Sequence, residues 1–204
     1  AQVTALYLLG LALAEKRKAS HPEQLEALKS DLLKIPARIE TVLHNTEPLQ
    51  AMARKYGHAR DVLFIARGVN FPVAMEGALK LKEISYIHAE GYSGSELKHG
   101  PIAMLDSNIP VISVLTKGPV FEKMISNCQE AKAREARCVA ISNTPIPKEL
   151  QTTFEDILEI PECMEPLSPL LTTIPLQLLA YYMAEFLGKD VDQPRNLAKS
   201  VTVE

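Results

Sequence analysis

Three groups of residues in this sequence are placed to do chemistry. Glu76, Lys80 and Glu83 recur at i, i+4 and i+7 in a helical pattern, which puts them on one helix face. Alone, such a row also describes a solvated ladder of ion pairs. The stretch that follows, His88 to Pro101 (HAEGYSGSELKHGP), is dense in polar and small residues and reads as a loop rich in donors and acceptors. A donor-rich loop directly after a charged helix face is a better binding-site candidate than either alone. The third group lies in Asp192-Gln193-Pro194-Arg195-Asn196-Leu197-Ala198-Lys199-Ser200, which cannot pack as a helix. A tail carrying a lysine can bring an amine nucleophile into a site, although a solvated terminus has similar composition. A weaker candidate is the turn Ala66-Arg67-Gly68-Val69-Asn70-Phe71-Pro72, where a strand runs into a helix with proline in its first turn. That geometry suits an anionic ligand, but one glycine is not a GxGxxG motif, and an ordinary strand-to-helix turn reads the same way.

The elements that must hold these groups follow from hydrophobic periodicity. Residues 2–17 form one helical pattern. Leu25, Leu28, Leu32, Leu33, Ile39, Val42 and Leu43 carry another, which Pro36 divides in two. A further helix covers Glu47 to Tyr56 and stops at Gly57. Short, continuously apolar runs then appear at 62–66, 111–115 and 138–141, with a weaker one at 157–160. Helical patterns at 72–87, 120–135 and 147–153 separate them, and a long helix, 168–187, closes the unit. Buried strands alternating with helices predict a three-layer α/β/α domain with a mostly parallel sheet, preceded by helices. Residues 188–204 read as a tail.

Composition narrows the function classes. Of 204 residues, 47% are apolar and 23% charged, and the net charge of −3 gives no reason to expect nucleic acid or an anionic membrane as partner. Cys128, Cys138 and Cys163 are odd in number and lack a CxxC pair, so buried, reduced thiols in a cytoplasmic protein are expected. No secretory signal is visible, and the apolar stretches at 5–14 and 167–187 are too short or too interrupted to span a bilayer. No cofactor and no metal site are expected. The chain opens without methionine, in helical pattern and without a capping residue, which suits a boundary inside a longer polypeptide.

The strings EGALKLKEISYIHAEGYSGSELKHGP (Glu76–Pro101) and VDQPRNLAKSVTVE (Val191–Glu204) resemble segments of the glucosamine-6-phosphate synthase family, the isomerizing glutamine–fructose-6-phosphate aminotransferases. Ile174 to Tyr181 is similar to that family too. The resemblance implies sugar-isomerase (SIS) architecture, with 1–35 as the terminal helix of a truncated first SIS domain plus a connector, 36–187 as the second SIS domain and 188–204 as a catalytic tail. It implies phosphosugar chemistry, fructose 6-phosphate being converted to glucosamine 6-phosphate with glutamine-derived ammonia, in a homodimer. Position by position, Lys199 would form a Schiff base with the open-chain ketose and Glu83 would move a proton between C1 and C2. Lys80 would assist, His99 would help open the sugar ring from the partner subunit, and Ala198 would touch the sugar through its backbone.

Those roles agree with elementary chemistry. A lysine is nucleophilic only when neutral, a proton shuttle needs a fixed carboxylate within reach of both carbons, and ring opening suits a group that titrates near neutrality. The sequence also departs from the family. No glutaminase sequence with its N-terminal cysteine is present, and Thr116-Lys117-Gly118-Pro119 has no Ser/Thr cluster to grip a phosphate. The acid–base apparatus without its anchor is expected to be inactive alone. The other readings are a non-catalytic SIS module that senses phosphosugars and a dimerisation domain.

Overall fold

The computed structural model describes residues 1–18 and 21–197. Four helices come first: α1 (Gln2–Lys16), α2 (Pro22–Leu32), α3 (Ile35–His44) and α4 (Glu47–Tyr56). The break between α2 and α3 places Pro36 in the first turn of α3, where its missing N–H has no helical acceptor to lose. The alternating part follows as β1 (Asp61–Ala66), α5 (Phe71–Ser85), β2 (His88–Ser93), β3 (Pro110–Leu115), α6 (Phe121–Lys132), β4 (Arg137–Ser142), α7 (Lys148–Gln151), β5 (Asp156–Glu159) and α8 (Ser168–Phe186). All strand pairings are parallel, in the order β2-β1-β3-β4-β5. The chain steps from β1 to β2 on one side and then to β3 on the other, so the topological switch point lies between β1 and β3.

The continuously apolar strands are two-faced. Val62, Phe64 and Ala66 of β1 join Ile112, Val114, Val139 and Ile141 in a core shared with α3, α4, α5 and α8. Leu63 and Ile65 face the other way, with Val111, Leu115, Cys138 and Ala140, against α6, Leu97 and Phe154. Burial on both faces is why these strands read as unbroken apolar runs and why the domain has three layers. Residues 61–66, 110–115 and 137–142 thus fall in one sheet, as the apolar runs predict.

His88–Ser93 departs from the expectation of a loop. It is a strand paired along its whole length with β1, from Asp61 opposite His88 to Ala66 opposite Ser93. As an edge strand it is hydrogen-bonded on one side only and half solvated, so HAEGYS needs little apolar content. Gly91 lets it sit directly on α5: a β-carbon there would lie 2.6 Å from Cα and 2.7 Å from N of Met75. These are backbone atoms with nowhere to go. Gly91→Ala is expected to lower stability by about 2–3 kcal/mol, the upper part of the range for overpacking. Urea unfolding of the chain measures this, and a loss under about 0.5 kcal/mol, an ordinary surface effect, would show that α5 and β2 can separate freely.

The first two helices, α1 and α2, attach at few points. Asp31 of α2 accepts from Arg38 Nη2 and from the Met164 N–H, each at 2.7 Å, and ties α2 to the loop before α8. Burial opposes ionisation of Asp31, but these donors outweigh it and hold the carboxyl below its usual range. Tyr7 of α1 donates to the Pro166 carbonyl. Otherwise α1 is exposed: only Leu11 of its residues is buried, and Leu6 is 67% exposed.

Candidate active site

The switch-point crevice, where open α/β sheets most often bind ligands, is filled by the protein itself. Asn70, at the start of α5, donates to Thr116 Oγ1 (3.2 Å) and Ser168 Oγ (2.8 Å), and accepts from Thr172 Oγ1 (2.8 Å). All four side chains are buried. Gly68 and Gly118, both at positive φ, end the turns after β1 and β3. The Glu165 carboxylate stands against them: a β-carbon on Gly118 would lie 3.0 Å from its Cδ, and one on Gly68 would lie 4.0 Å from its Oε1. The Lys117 N–H, which could serve an anion, donates to Asn143 Oδ1 at 2.8 Å. An incoming phosphate would meet a carboxylate and occupied donors. The turn at Ala66–Pro72 thus faces the Glu165 carboxylate, which disfavours an anion there, and Thr116–Pro119 presents a Lys117 N–H that is already bonded.

The charged face of α5 divides. Glu76, near its start, accepts from Gln177 Nε2 of α8 at 3.2 Å. One turn further, Lys80 Nζ donates to Glu83 Oε2 in an i,i+3 ion pair with side chains 33% and 28% exposed. Because α5 runs back along the strands, Glu83 lies about 18 Å of helix rise beyond Phe71, at the opposite end of the sheet from the switch point. There a cavity is lined by Lys82, Glu83, Tyr86, His88, Arg195 and Leu197, among others. The C-terminal segment reaches this place after α8, and Arg195 donates its backbone N–H to the Tyr86 hydroxyl at 2.9 Å. At the cavity's edge, the carboxylate of Asp61 takes a hydrogen bond from His88 Nδ1 at 2.8 Å; farther along β2, Tyr92 donates to Glu90. That bond, then burial, pushes the Tyr92 hydroxyl up to about 12.

The structure thus brings together Glu83, Lys80 and the tail as far as Leu197. Ala198 and Lys199 lie outside the described residues. His99 sits exposed in the single turn Leu97–His99, and among the described residues it makes no hydrogen bond or ion pair with Lys80 or Glu83. The cysteines are not candidates: burial pushes the Cys128 and Cys138 thiols up to about 12. Among the described residues no cluster of three or more potential ligands could hold a metal ion, and no helix is long and apolar enough to cross a membrane. Sequence reasoning missed Tyr86, whose contact with Arg195 spans 109 positions and leaves no local signal.

Known proteins resemble this chain in sequence and fold. Residues 55–185 match the family described as SIS domain. A glutamine–fructose-6-phosphate aminotransferase [isomerizing] of Thermosynechococcus vestitus is 52% identical over all of this chain. The enzyme of the same name from Aquifex aeolicus is 48% identical, again over the full chain. This chain spans 33% of the length of each of these relatives. Among solved structures, the C-terminal domain of glucosamine-fructose-6-phosphate aminotransferase from Francisella tularensis superposes with a TM-score of 0.85 at 35% identity, over 93% of this chain and 53% of that one. A putative tagatose-6-phosphate ketose/aldose isomerase from Clostridium novyi, 18% identical, shares the fold with a TM-score of 0.77 over 89% of this chain and 50% of that one.

Proposed function

The chain belongs to the SIS domain family, and from that membership we propose that it supplies the acid–base part of an isomerizing glutamine–fructose-6-phosphate aminotransferase. The observation that carries this reading is the meeting of Glu83, paired with Lys80, with the C-terminal segment at one cavity, two residues short of the lysine that resembles the family's nucleophile. The reaction joins fructose 6-phosphate and ammonia to give glucosamine 6-phosphate and water. The Lys199 amine adds to the C2 ketone of the open-chain sugar and water leaves, giving a Schiff base. Ammonia then displaces the lysine at C2 to give the imine, and Glu83 takes a proton from C1 and returns it to C2 while the C1 hydroxyl proton passes to the nitrogen, leaving the aldehyde at C1 and the amine at C2. Lys80, paired with Glu83, keeps the carboxylate oriented and balances its charge. Ala198 meets the sugar through its backbone. His99, exposed and away from Glu83 of its own chain, serves ring opening in the site of a second copy, which makes the working unit a homodimer in the cytoplasm.

The sugar phosphate is held outside this chain, in the part of the enzyme that makes up the rest of its relatives' length. The closed switch-point crevice supports that division, and it counts against a module that senses phosphosugars on its own. Remote binding energy from the phosphate is what positions the reacting carbons. The purified chain given fructose 6-phosphate and glutamine is therefore expected to sediment as a dimer at micromolar concentration and to form no glucosamine 6-phosphate. The full-length enzyme should form it. Amino sugar from the chain alone, or none from the full-length enzyme, would refute the proposal.

A further inference from the structure

We infer that Tyr86 is the positioning residue that docks the C-terminal segment and so delivers Lys199 to Glu83; the inference rests on the function proposed above. Tyr86 caps α5 with φ 66° and ψ 12°. This left-handed conformation at a helix end is the usual place of glycine or asparagine, and a bulky side chain disfavours it. Strain of this kind persists where the surrounding structure uses the residue. Here the use is visible. The Tyr86 hydroxyl accepts the Arg195 N–H at 2.9 Å, and the Arg195 guanidinium carbon lies 4.2 Å from the ring centroid. Lys189 Nζ, at the other end of the segment, is 5.7 Å from the same ring. The remaining polar contacts of the segment beyond α8 are local, such as Asp190 Oδ1 accepting from the Asp192 and Gln193 amides. Among the described residues after Lys189, Tyr86 alone ties this segment by hydrogen bond to the body of the domain.

The reach is right for the role. Glu83 precedes Tyr86 by three residues on α5, so the two are surface neighbours with β-carbons about 5–6 Å apart. Lys199 follows Arg195 by four residues, a span of at most about 14 Å when extended, before its own side chain is added. With Arg195 fixed on Tyr86, the chain length to Lys199 is enough for its amine to reach the Glu83 carboxylate.

The test compares Tyr86→Phe and Tyr86→Asn in the full-length enzyme. Asparagine tolerates the left-handed backbone and removes the ring, so the fold is retained; phenylalanine keeps the stack and loses the hydrogen bond. Trypsin should cut after Arg195 and Lys199 at least about tenfold faster in Tyr86→Asn, with Tyr86→Phe intermediate, as expected when a docked segment opens more often. In the same variant kcat should fall about 10²-fold, the scale set by misplacing a reacting group by an ångström, while KM for fructose 6-phosphate stays within about twofold. Borohydride trapping at Lys199 should fall in parallel. Unchanged nicking would overturn the docking, and faster nicking with unchanged kcat and trapping would overturn its catalytic role. A kcat loss confined to the variant's loss of folded protein would overturn it as well. If the unsubstituted enzyme gives no adduct on Lys199, the assignment of the amine fails, and the nicking rates still decide whether Tyr86 holds the tail.

Discussion

With Glu83→Gln in the full-length enzyme, fructose 6-phosphate given without glutamine is expected to condense with Lys199 and stay there, and with ammonia present to stop at the C2 imine. The substitution keeps the size of the side chain and its place on α5, and it keeps a hydrogen-bonding partner for Lys80. What it removes is the base. The two side chains of the Lys80–Glu83 pair are 33% and 28% exposed, so losing the ion pair should cost no more than about 1 kcal/mol of stability. Loss of a positioned general base costs about 10²–10⁴ in rate, or roughly 3–5 kcal/mol at the transition state. The second figure exceeds the first several-fold, so an inactive but folded variant is the expected outcome, with a Schiff base that borohydride traps on the tail. Aldose formation within tenfold of the unsubstituted rate would move the base elsewhere, with Glu76 and Glu96 next to be tried. The structure already weakens Glu76, which is engaged by Gln177 and lies two turns nearer the switch point.

Lys199→Arg is expected to fail earlier. Arginine keeps the positive charge and the length of the side chain, but guanidinium remains protonated and is a poor nucleophile, so no Schiff base forms. Borohydride should trap nothing, and activity should fall at least as far as in Glu83→Gln, since every later step depends on the adduct. Mass spectrometry of the reduced protein separates the two variants: one modified tail peptide for Glu83→Gln, none for Lys199→Arg. Adduct on another lysine would show the nucleophile to be misassigned. Lys80 is the neighbour to watch, although its amine is engaged by Glu83.

Much of this molecule is legible in its sequence because the controlling interactions are local or periodic. The helix pattern over 47–56, stopped by Gly57, is a helix with those bounds. The runs at 62–66, 111–115 and 138–141 are strands of one parallel sheet, since only residues buried on both faces need to be apolar at successive positions. Glu83 and Lys80 share a helix face for the same reason of period. His88–Ser93 was not legible as a strand: its pairing partner is β1, and half of its surface is wet, so alternation and apolar content are both weak.

Tertiary structure alone decided where chemistry could sit. The sequence places a polar turn after β1 and a charged row on α5, and either could have been a site. Packing closed the first, because Thr116, Ser168 and Thr172, up to 102 positions from Asn70, satisfy its side chain, while Glu165 puts a carboxylate where an anion would go. Packing opened the second, because α8 returns the chain to the far end of α5, where Tyr86 meets Arg195. Local composition governs whether a segment is helix or strand. Which distant segments become neighbours depends on the order in which strands join the sheet and on where the closing helix delivers the tail, and neither is encoded in any short window of residues.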